Sequence, residues 1–364
     1  MRVLLCGGGT AGHVNPALAI AQTIKRNIPY SEFAYVVTPK GIENRLVDFR
    51  KFEINVRGLK RSFSFSNIKT IKLTVDAIKR SKEIIKEFRP NIIIGTGGYA
   101  CFPVIYAGSK LGIKCVIHES NAVPGKATKM LQKRVDKVLL NFEETKTHFK
   151  SKENLVYTGN PLRDGFGVLN KDEIKKDQKI DNKLVILAYG GSLGATAINE
   201  SVLELIENFI KDNKDIMLLW SSGKNEYEKM YYLMKKRGYD KLKNVRLYEY
   251  IYDMAEKVSI ADIVICRSGA MTISEMATAE KCAVFIPSPN VTDNHQFKNA
   301  SLLANKNAAI LVPEERIHEL TDTVKELASN PEKISGYEHR ISKFAMKDSN
   351  KRIYEEILEL TKRK

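Results

Sequence analysis

The residues able to do chemistry gather just after short apolar runs. Gly7-x-Gly9-x-x-Gly12 follows Val3–Cys6, and His13 comes directly after it. A glycine-walled turn lets main chain approach a ligand that a Cβ would hold off. An imidazole titrating near neutrality at that turn suits proton abstraction from a sugar hydroxyl. A histidine there equally serves as a helix cap or bonds a main-chain carbonyl. The spacing is that of the dinucleotide-binding turn, but its companion acid is missing. The next apolar run, Phe33–Val37, ends in Thr38-Pro39-Lys40, and Glu32 lies at its wrong end. A dehydrogenase is thereby disfavoured.

Three more clusters follow apolar runs in the same way. Gly95-Thr96-Gly97-Gly98-Tyr99 offers main-chain N–H groups for a diphosphate, or simply tight packing between strand and helix. Gly190-Gly191-Ser192-Leu193-Gly194 runs into a helix, whose N-terminal donors and dipole attract phosphate. Arg267 to Glu275 reads RSGAMTISE, and the Glu275 carboxylate, placed inside a new helix, can accept both hydroxyls of a ribose. Its alternative is an acid complementing the helix dipole. His118-Glu119-Ser120-Asn121 and Asp293-Asn294-His295-Gln296 are polar where loops follow strands. No Asp-x-Asp pair occurs, so the usual carboxylate holder of a diphosphate-bound metal is missing. Neutralising a leaving diphosphate then falls to main-chain dipoles and Arg163.

These clusters need strands and helices to position them, and the sequence supplies both in alternation, the pattern of parallel α/β sheets. Val3–Cys6, Phe33–Val37, Asn91–Ile94, Cys115–His118, Val135–Leu140 and Leu155–Tyr157 read as strands of a first half. Leu184–Ala188, Ile216–Trp220, Val245–Leu247, Ile263–Cys266, Ala283–Ile286 and Ala309–Val312 read as those of a second. Between them KDEIKKDQKIDNK, Lys171 to Lys183, looks like a solvated approach to a second domain. Each half opens with a strand, glycines and a helix. The expectation is two Rossmann-like, doubly wound domains facing a central cleft, with ligand at the carboxyl ends of the strands. The boundary falls between Gly159 and Lys183, giving domains 1–162 and 163–343; the tail, about 344–364, can pack on either.

Composition narrows the class. A chain of 364 residues with 43% hydrophobic and 28% charged content suits two globular cores. Five scattered cysteines without a Cys-x-x-Cys pair argue against a disulfide framework or zinc site and for a reducing compartment. Pro90 to Ser109 carries no charge over the length of a membrane span, yet its prolines and glycines fit a strand, a turn and a helix better. The formal net charge of +16 points to an anionic partner: nucleic acid, anionic lipid or a phosphate-bearing substrate. No nucleic-acid-binding module is recognisable, and the basic residues are not interleaved with stacking aromatics.

Taken together, GGGTAGHVNPALA, GTGGY, HESNAVPG, GNPLR, YGGSLGA, YEYIYDM, CRSGAMTISE and DNHQ occur in an order that resembles one family. It is the membrane-associated N-acetylglucosaminyltransferases of peptidoglycan synthesis, the MurG family within glycosyltransferase family 28. The resemblance runs from Met1 to at least Pro313. It implies the GT-B fold and inverting transfer of N-acetylglucosamine from UDP-N-acetylglucosamine to lipid I, an undecaprenyl-diphosphate-linked muramyl peptide. It implies no cofactor and no metal. The N-terminal domain would take the acceptor and the C-terminal domain the donor. Carried onto this chain, Thr10, Ala11 and Gly12 line the first glycine turn, and Asn121 reaches the donor sugar. Arg163 and Ser192 approach the diphosphate, and Ile251 flanks the uracil. Ala270, Met271, Thr272, Ile273, Ser274 and Glu275 wrap the nucleoside, with Glu275 on the ribose. Gln296 bonds the sugar, and His13 is the candidate base. Ala11, Ser120 and Cys101-Phe102 depart from the usual family residues, and the last of these bears on acceptor-side detail.

Such an enzyme must reach a lipid-bound acceptor at the cytoplasmic face of the cell membrane. From Arg57 to Pro90, ten basic residues (Arg57, Lys60, Arg61, Lys69, Lys72, Lys79, Arg80, Lys82, Lys86, Arg89) face three acids. Ile71, Val75, Ile78 and Ile85 recur there at helical spacing. The stripe reads either as an ordinary core-facing helix or as one lying partly on an anionic membrane surface; the charge excess favours the second. Competing functions are transfer to another lipid acceptor, and epimerisation of UDP-N-acetylglucosamine, which needs no acceptor.

Overall fold

The computed structural model describes residues 1–58 and 66–362, with side chains resuming at Thr70. Lys60, Arg61 and the side chain of Lys69 therefore lie outside the described residues. The chain forms two compact units, Met1–Leu162 with Asp348–Lys364, and Arg163–Lys347.

The first unit holds a seven-stranded, wholly parallel sheet: β1 (Arg2–Cys6), β2 (Glu32–Val37), β3 (Arg50–Glu53), β4 (Ile92–Gly95), β5 (Lys114–Glu119), β6 (Lys137–Leu140) and β7 (Leu155–Tyr157). Their order is β3-β2-β1-β4-β5-β6-β7. Strands this apolar, such as Ile92-Ile93-Ile94, can be covered on both faces, as parallel sheets require. Helices α1 (Ala11–Asn27), α2 (Glu43–Leu46), α3 (Ser66–Phe88), α4 (Cys101–Lys110) and α5 (Lys126–Leu131) supply the crossovers on this half. β3 was not foreseen. It pairs only with β2, and of its four residues only Phe52 is buried, so an edge strand of mostly charged residues gives no apolar run to read.

The second unit holds six parallel strands: β8 (Leu184–Tyr189), β9 (Ile216–Ser221), β10 (Val245–Tyr248), β11 (Ile263–Cys266), β12 (Cys282–Phe285) and β13 (Ile310–Leu311). Their order is β10-β9-β8-β11-β12-β13. Its helices are α6 (Lys171–Asp177), α7 (Thr196–Asn208), α8 (Tyr227–Lys236), α9 (Met254–Ile260), α10 (Ala270–Thr278), α11 (His295–Ala304), α12 (Leu320–Ala328) and α13 (Pro331–Ser342). Counted from the first strand of each unit, both sheets run 3-2-1-4-5-6, the doubly wound order. The first sheet adds β7 at its far edge.

The charged Lys171–Lys183 stretch is solvated only in part. Its first part is α6, capped by the Asn170 side chain, which accepts from the N–H groups of Asp172 and Glu173. Lys171 and Lys175 both reach Asp262, at 2.6 and 2.9 Å, and the Asp262 carboxylate also takes the Val185 N–H at 2.7 Å. Burial raises the Asp262 carboxyl, but the two lysines and that N–H together hold it below the usual range. Ion pairing therefore buries part of a stretch whose composition reads as surface.

The tail helix α14 (Ser349–Lys362) belongs to the first unit, where it packs on α1. Ile353, Ile357 and Leu360 join Val14, Ile20 and Ile24 in one buried cluster. Burying a side chain of this size stabilises by ~1.5–3 kcal/mol. The Asn350 side chain closes a ring with the main chain of Leu162. Its Oδ1 accepts the Leu162 N–H at 2.9 Å, and its Nδ2 donates to the Leu162 carbonyl at 2.9 Å.

Candidate active site

In a doubly wound sheet, ligands bind where neighbouring strands send their chains in opposite directions. That point lies between β1 and β4 in the first unit, and between β8 and β11 in the second. The four loops leaving those strands carry four of the glycine and polar clusters seen in the sequence.

In the first unit the loops after β1 and β4 are interlocked. Gly98 has φ +80°, and a Cβ there would lie 2.1 Å from the Gly8 carbonyl oxygen, so only glycine allows the loops to approach. Gly8 N–H donates to the Gly97 carbonyl at 3.3 Å. The second glycine cluster therefore packs against the first. His13, half-buried, lies across it: Nδ1 is 3.1 Å from the Thr96 carbonyl, while the Thr96 hydroxyl donates to the His13 carbonyl at 2.6 Å. A carbonyl only accepts, so that contact places the ring proton on Nδ1 and leaves Nε2 as the basic nitrogen. Thr10 and Gly12 are exposed and Ala11 half-buried, at the open side of the turn.

An acid does return to the end of β2, from α2 rather than from the strand. Glu43 is fully buried, and its Oε1 accepts the Thr38 N–H at 2.9 Å and the Thr38 hydroxyl at 2.7 Å. It ties down the loop after β2 and is not presented to a ligand.

After β5, Glu119 organises the HESN loop. Oε1 takes the Asn121 main-chain N–H at 3.1 Å, and Oε2 takes the Gly125 N–H at 3.0 Å and the Thr128 hydroxyl at 2.7 Å. The Asn121 side chain, half-buried, also meets Glu119 Oε1. His118 is fully buried between the Gly159 carbonyl and the Ser120 hydroxyl, and burial pushes its imidazole down. It is a structural histidine.

In the second unit, β8 and β11 run side by side with Tyr189 opposite Cys266. Ser192 is exposed on the glycine loop after β8, which turns through Gly191 and Gly194 before α7 begins. After β11 the chain enters α10, and this helix sorts the RSGAMTISE residues. Ala270 and Ile273 are buried, Met271, Thr272 and Ser274 are half-buried, and the Ser274 hydroxyl bonds back to the Ala270 carbonyl. Six consecutive helical side chains cannot all turn toward one ligand, although the first N–H groups of a helix such as α10 have no acceptor within the helix itself. Glu275 is 4% exposed and receives Arg163, Nε at 2.8 Å and Nη2 at 2.7 Å, both on Oε1. Burial raises the Glu275 carboxyl and Arg163 draws it back, leaving it above the usual glutamate range. Ile251 is buried beside the exposed Tyr250 and Tyr252 rings, which meet edge to face. Gln296 opens α11, its Oε1 accepting the Ser288 N–H at 2.9 Å and its carbonyl the Ser268 hydroxyl at 3.0 Å.

Among the described residues, no three His, Cys, Asp or Glu side chains converge as a metal-ligand set. Sequence reasoning missed Thr96 and Glu119 as organisers, although both sit inside quoted motifs. It also missed Tyr189, whose buried hydroxyl faces the Cys266 thiol.

Two doubly wound parallel sheets of this order, each with its loops at the switch point, define the two-domain GT-B class of glycosyltransferases. Residues 3–140 match the glycosyltransferase family 28 N-terminal domain and residues 185–353 its C-terminal domain, and the chain belongs to that family. It is 37% identical to the UDP-N-acetylglucosamine–N-acetylmuramyl-(pentapeptide) pyrophosphoryl-undecaprenol N-acetylglucosamine transferase of Acetivibrio thermocellus, over 100% of this chain and 99% of that one. With the Bacillus pumilus enzyme of the same name it shares 38%, over 99% and 100%. The crystal structure of Acinetobacter baumannii MurG superposes with a TM-score of 0.79 at 28% identity, over 98% of this chain and 99% of that one. UDP-GlcNAc 2-epimerase from Neisseria meningitidis, at 15% identity and a TM-score of 0.65 over 99% and 100%, shares the fold.

Proposed function

We infer that this chain transfers N-acetylglucosamine from UDP-N-acetylglucosamine to undecaprenyl-diphosphate-linked N-acetylmuramyl-pentapeptide, making lipid II from lipid I. The observation that carries the reading is likeness to enzymes of that name over the full length of both units, at 37–38% identity.

The residue roles are those the family resemblance implies, read with the chemistry of the transfer. The acceptor hydroxyl attacks the anomeric carbon as the bond to UDP breaks, inverting that carbon. His13 takes the hydroxyl proton on Nε2, its tautomer set by Thr96. Charge collects on the departing diphosphate, where Ser192, main-chain N–H groups of its loop and Arg163 receive it. Glu275 accepts the ribose hydroxyls, Ile251 flanks the uracil, and Asn121 and Gln296 hold the sugar. Thr10, Ala11 and Gly12 line the first glycine turn as part of the donor site, with residues 1–162 as the acceptor domain and 163–343 as the donor domain.

The acceptor's polyprenyl chain stays in the bilayer, so the enzyme docks on the cytoplasmic face. No helix among the described residues is long and apolar enough to cross a membrane. Docking is assigned to α3, whose apolar stripe divides: Ile84, Ile85 and Phe88 are core, Ile78 is partly buried, and Ile71 and Val75 are 58% and 47% exposed. Lys72, Lys79, Lys82 and Lys86 are exposed on the same helix. A concavity lined by Lys129, Lys133, Arg134 and Lys150 adds cations to this unit.

The test is mass spectrometry of products from UDP-N-acetylglucosamine and a lipid I analogue. Addition of one N-acetylhexosamine to the analogue, with release of UDP, is expected. Epimerised or hydrolysed donor with the analogue unchanged would overturn the reading.

A further inference from the structure

Arg163 and Glu275 are 112 positions apart in sequence, yet the guanidinium donates its Nε–H to one carboxylate oxygen, Oε1, and brings Nη2 to 2.7 Å of the same atom. Among the described residues nothing bonds Oε2. A guanidinium has five N–H donors, so at least three remain on a side chain that is 52% exposed and stacked over the Phe166 ring. The carboxylate is thus held from one side and open on the other.

The rest of its surroundings give it little help. Tyr189, ending β8, and Cys266, ending β11, face it from the two strands beneath. Burial pushes both up, Tyr189 well above the usual phenol range and Cys266 to about 12, so both are neutral. Helices α11 and α13 pack on α10 and place no charge that moves Glu275. Arg163 is the one charged group acting on it among the described residues.

We propose that Arg163 is a positioning residue for the nucleoside, fixing Glu275 through Oε1 so that Oε2 is presented to the ribose hydroxyls. Its remaining N–H groups stay available for the diphosphate, so one guanidinium joins two parts of the donor site. This rests on the reading that Glu275 takes the ribose. A buried carboxylate deprived of its only cation favours the protonated form, and a protonated Oε2 is a poorer acceptor. Loss of Arg163 should therefore damage recognition of a ligand that carries no phosphate at all.

Uridine supplies that ligand. Its binding, and that of UDP, would be followed by NMR titration from pH 5 to 8 with wild-type protein and with Arg163→Gln, Arg163→Lys and Glu275→Gln. Arg163→Gln should weaken uridine about tenfold or more, the range for a charged hydrogen bond. As pH falls, its uridine binding should be lost at higher pH than in wild type, because the Glu275 carboxyl rises further without the arginine. Arg163→Lys, which restores a cation, should move that profile back. Uridine affinity unchanged in Arg163→Gln, with UDP affinity reduced, would overturn the proposal and confine Arg163 to the diphosphate. Uridine affinity unchanged in Glu275→Gln would instead overturn the ribose reading itself.

Discussion

Thr96 and His13 hold each other by two hydrogen bonds of opposite sense: the Thr96 hydroxyl donates to the His13 carbonyl, and His13 Nδ1 meets the Thr96 carbonyl. The imidazole is therefore fixed in position and tautomer by the loop after β4, not by its own helix. His13→Ala should lower kcat by ~10²–10⁴, the usual share of a general base, and leave UDP affinity nearly intact. Gly97→Ala should reproduce much of that loss, since a Cβ there would lie 2.8 Å from His13 Nδ1 and φ is +101°. Steady-state kinetics beside UDP calorimetry separate the cases. Equal losses in kcat and UDP affinity would mean that His13 shapes the turn only.

Leaving-group charge is assigned to Arg163 and main-chain donors, with no Asp-x-Asp pair in the sequence. Turnover should survive excess EDTA largely unchanged. Complete loss restored by magnesium or manganese would contradict this account.

The docking proposed for α3 is open to a direct test. Replacing Ile71, Lys72, Val75 and Lys79 together by glutamate should abolish sedimentation with anionic vesicles at low salt, because each basic residue near such a surface contributes ~1 kcal/mol. Activity on a short-chain, water-soluble acceptor should persist. Continued sedimentation of the variant would place docking elsewhere.

Lys281 makes the second unit sensitive to alkaline pH. Its buried ammonium donates to the Ser259 and Ala261 carbonyls at 2.7 and 3.1 Å, and burial, with Lys171, lowers it to about 8. The unfolded chain has an ordinary lysine near ~10.4. Between those values the unfolded state binds more protons, so stability from this group rises with pH. The difference in unfolding free energy between wild type and Lys281→Met should thus move toward wild type by up to about 3 kcal/mol from pH 8 to 10.5. Urea unfolding at both pH values measures it; a constant difference would refute the assignment.

Much of this architecture is legible in sequence because parallel strands buried on both faces must be apolar runs, and Ile92-Ile93-Ile94 or Leu184–Tyr189 can hardly be read otherwise. What escaped reading is where polarity and burial part company. β3 is an edge strand with one buried residue, and α6 buries lysines by pairing them with Asp262. At the site, the glycine turns and Glu275 declare themselves by type and spacing. Thr96 and Glu119 do not, because their work is done through loops brought together only by the sheet order. The α10 segment shows the converse, since the motif does not reveal that the helix turns the Ala270 and Ile273 side chains inward.

The first unit is assembled from both ends of the chain, with α14 sealing the α1 face. On the ribosome that seal is made only after the second unit. Met1–Leu162 must wait for the whole second unit to be synthesised, some 10–40 s at ~5–20 residues per second. During that time the apolar side of Val14, Ile20 and Ile24 lacks Ile353, Ile357 and Leu360. The second unit, continuous in sequence, has no such wait. Nascent-chain proteolysis should then find Arg163–Lys347 protected before the first unit, and a stop codon at Asp348 should leave an N-terminal half dependent on chaperones.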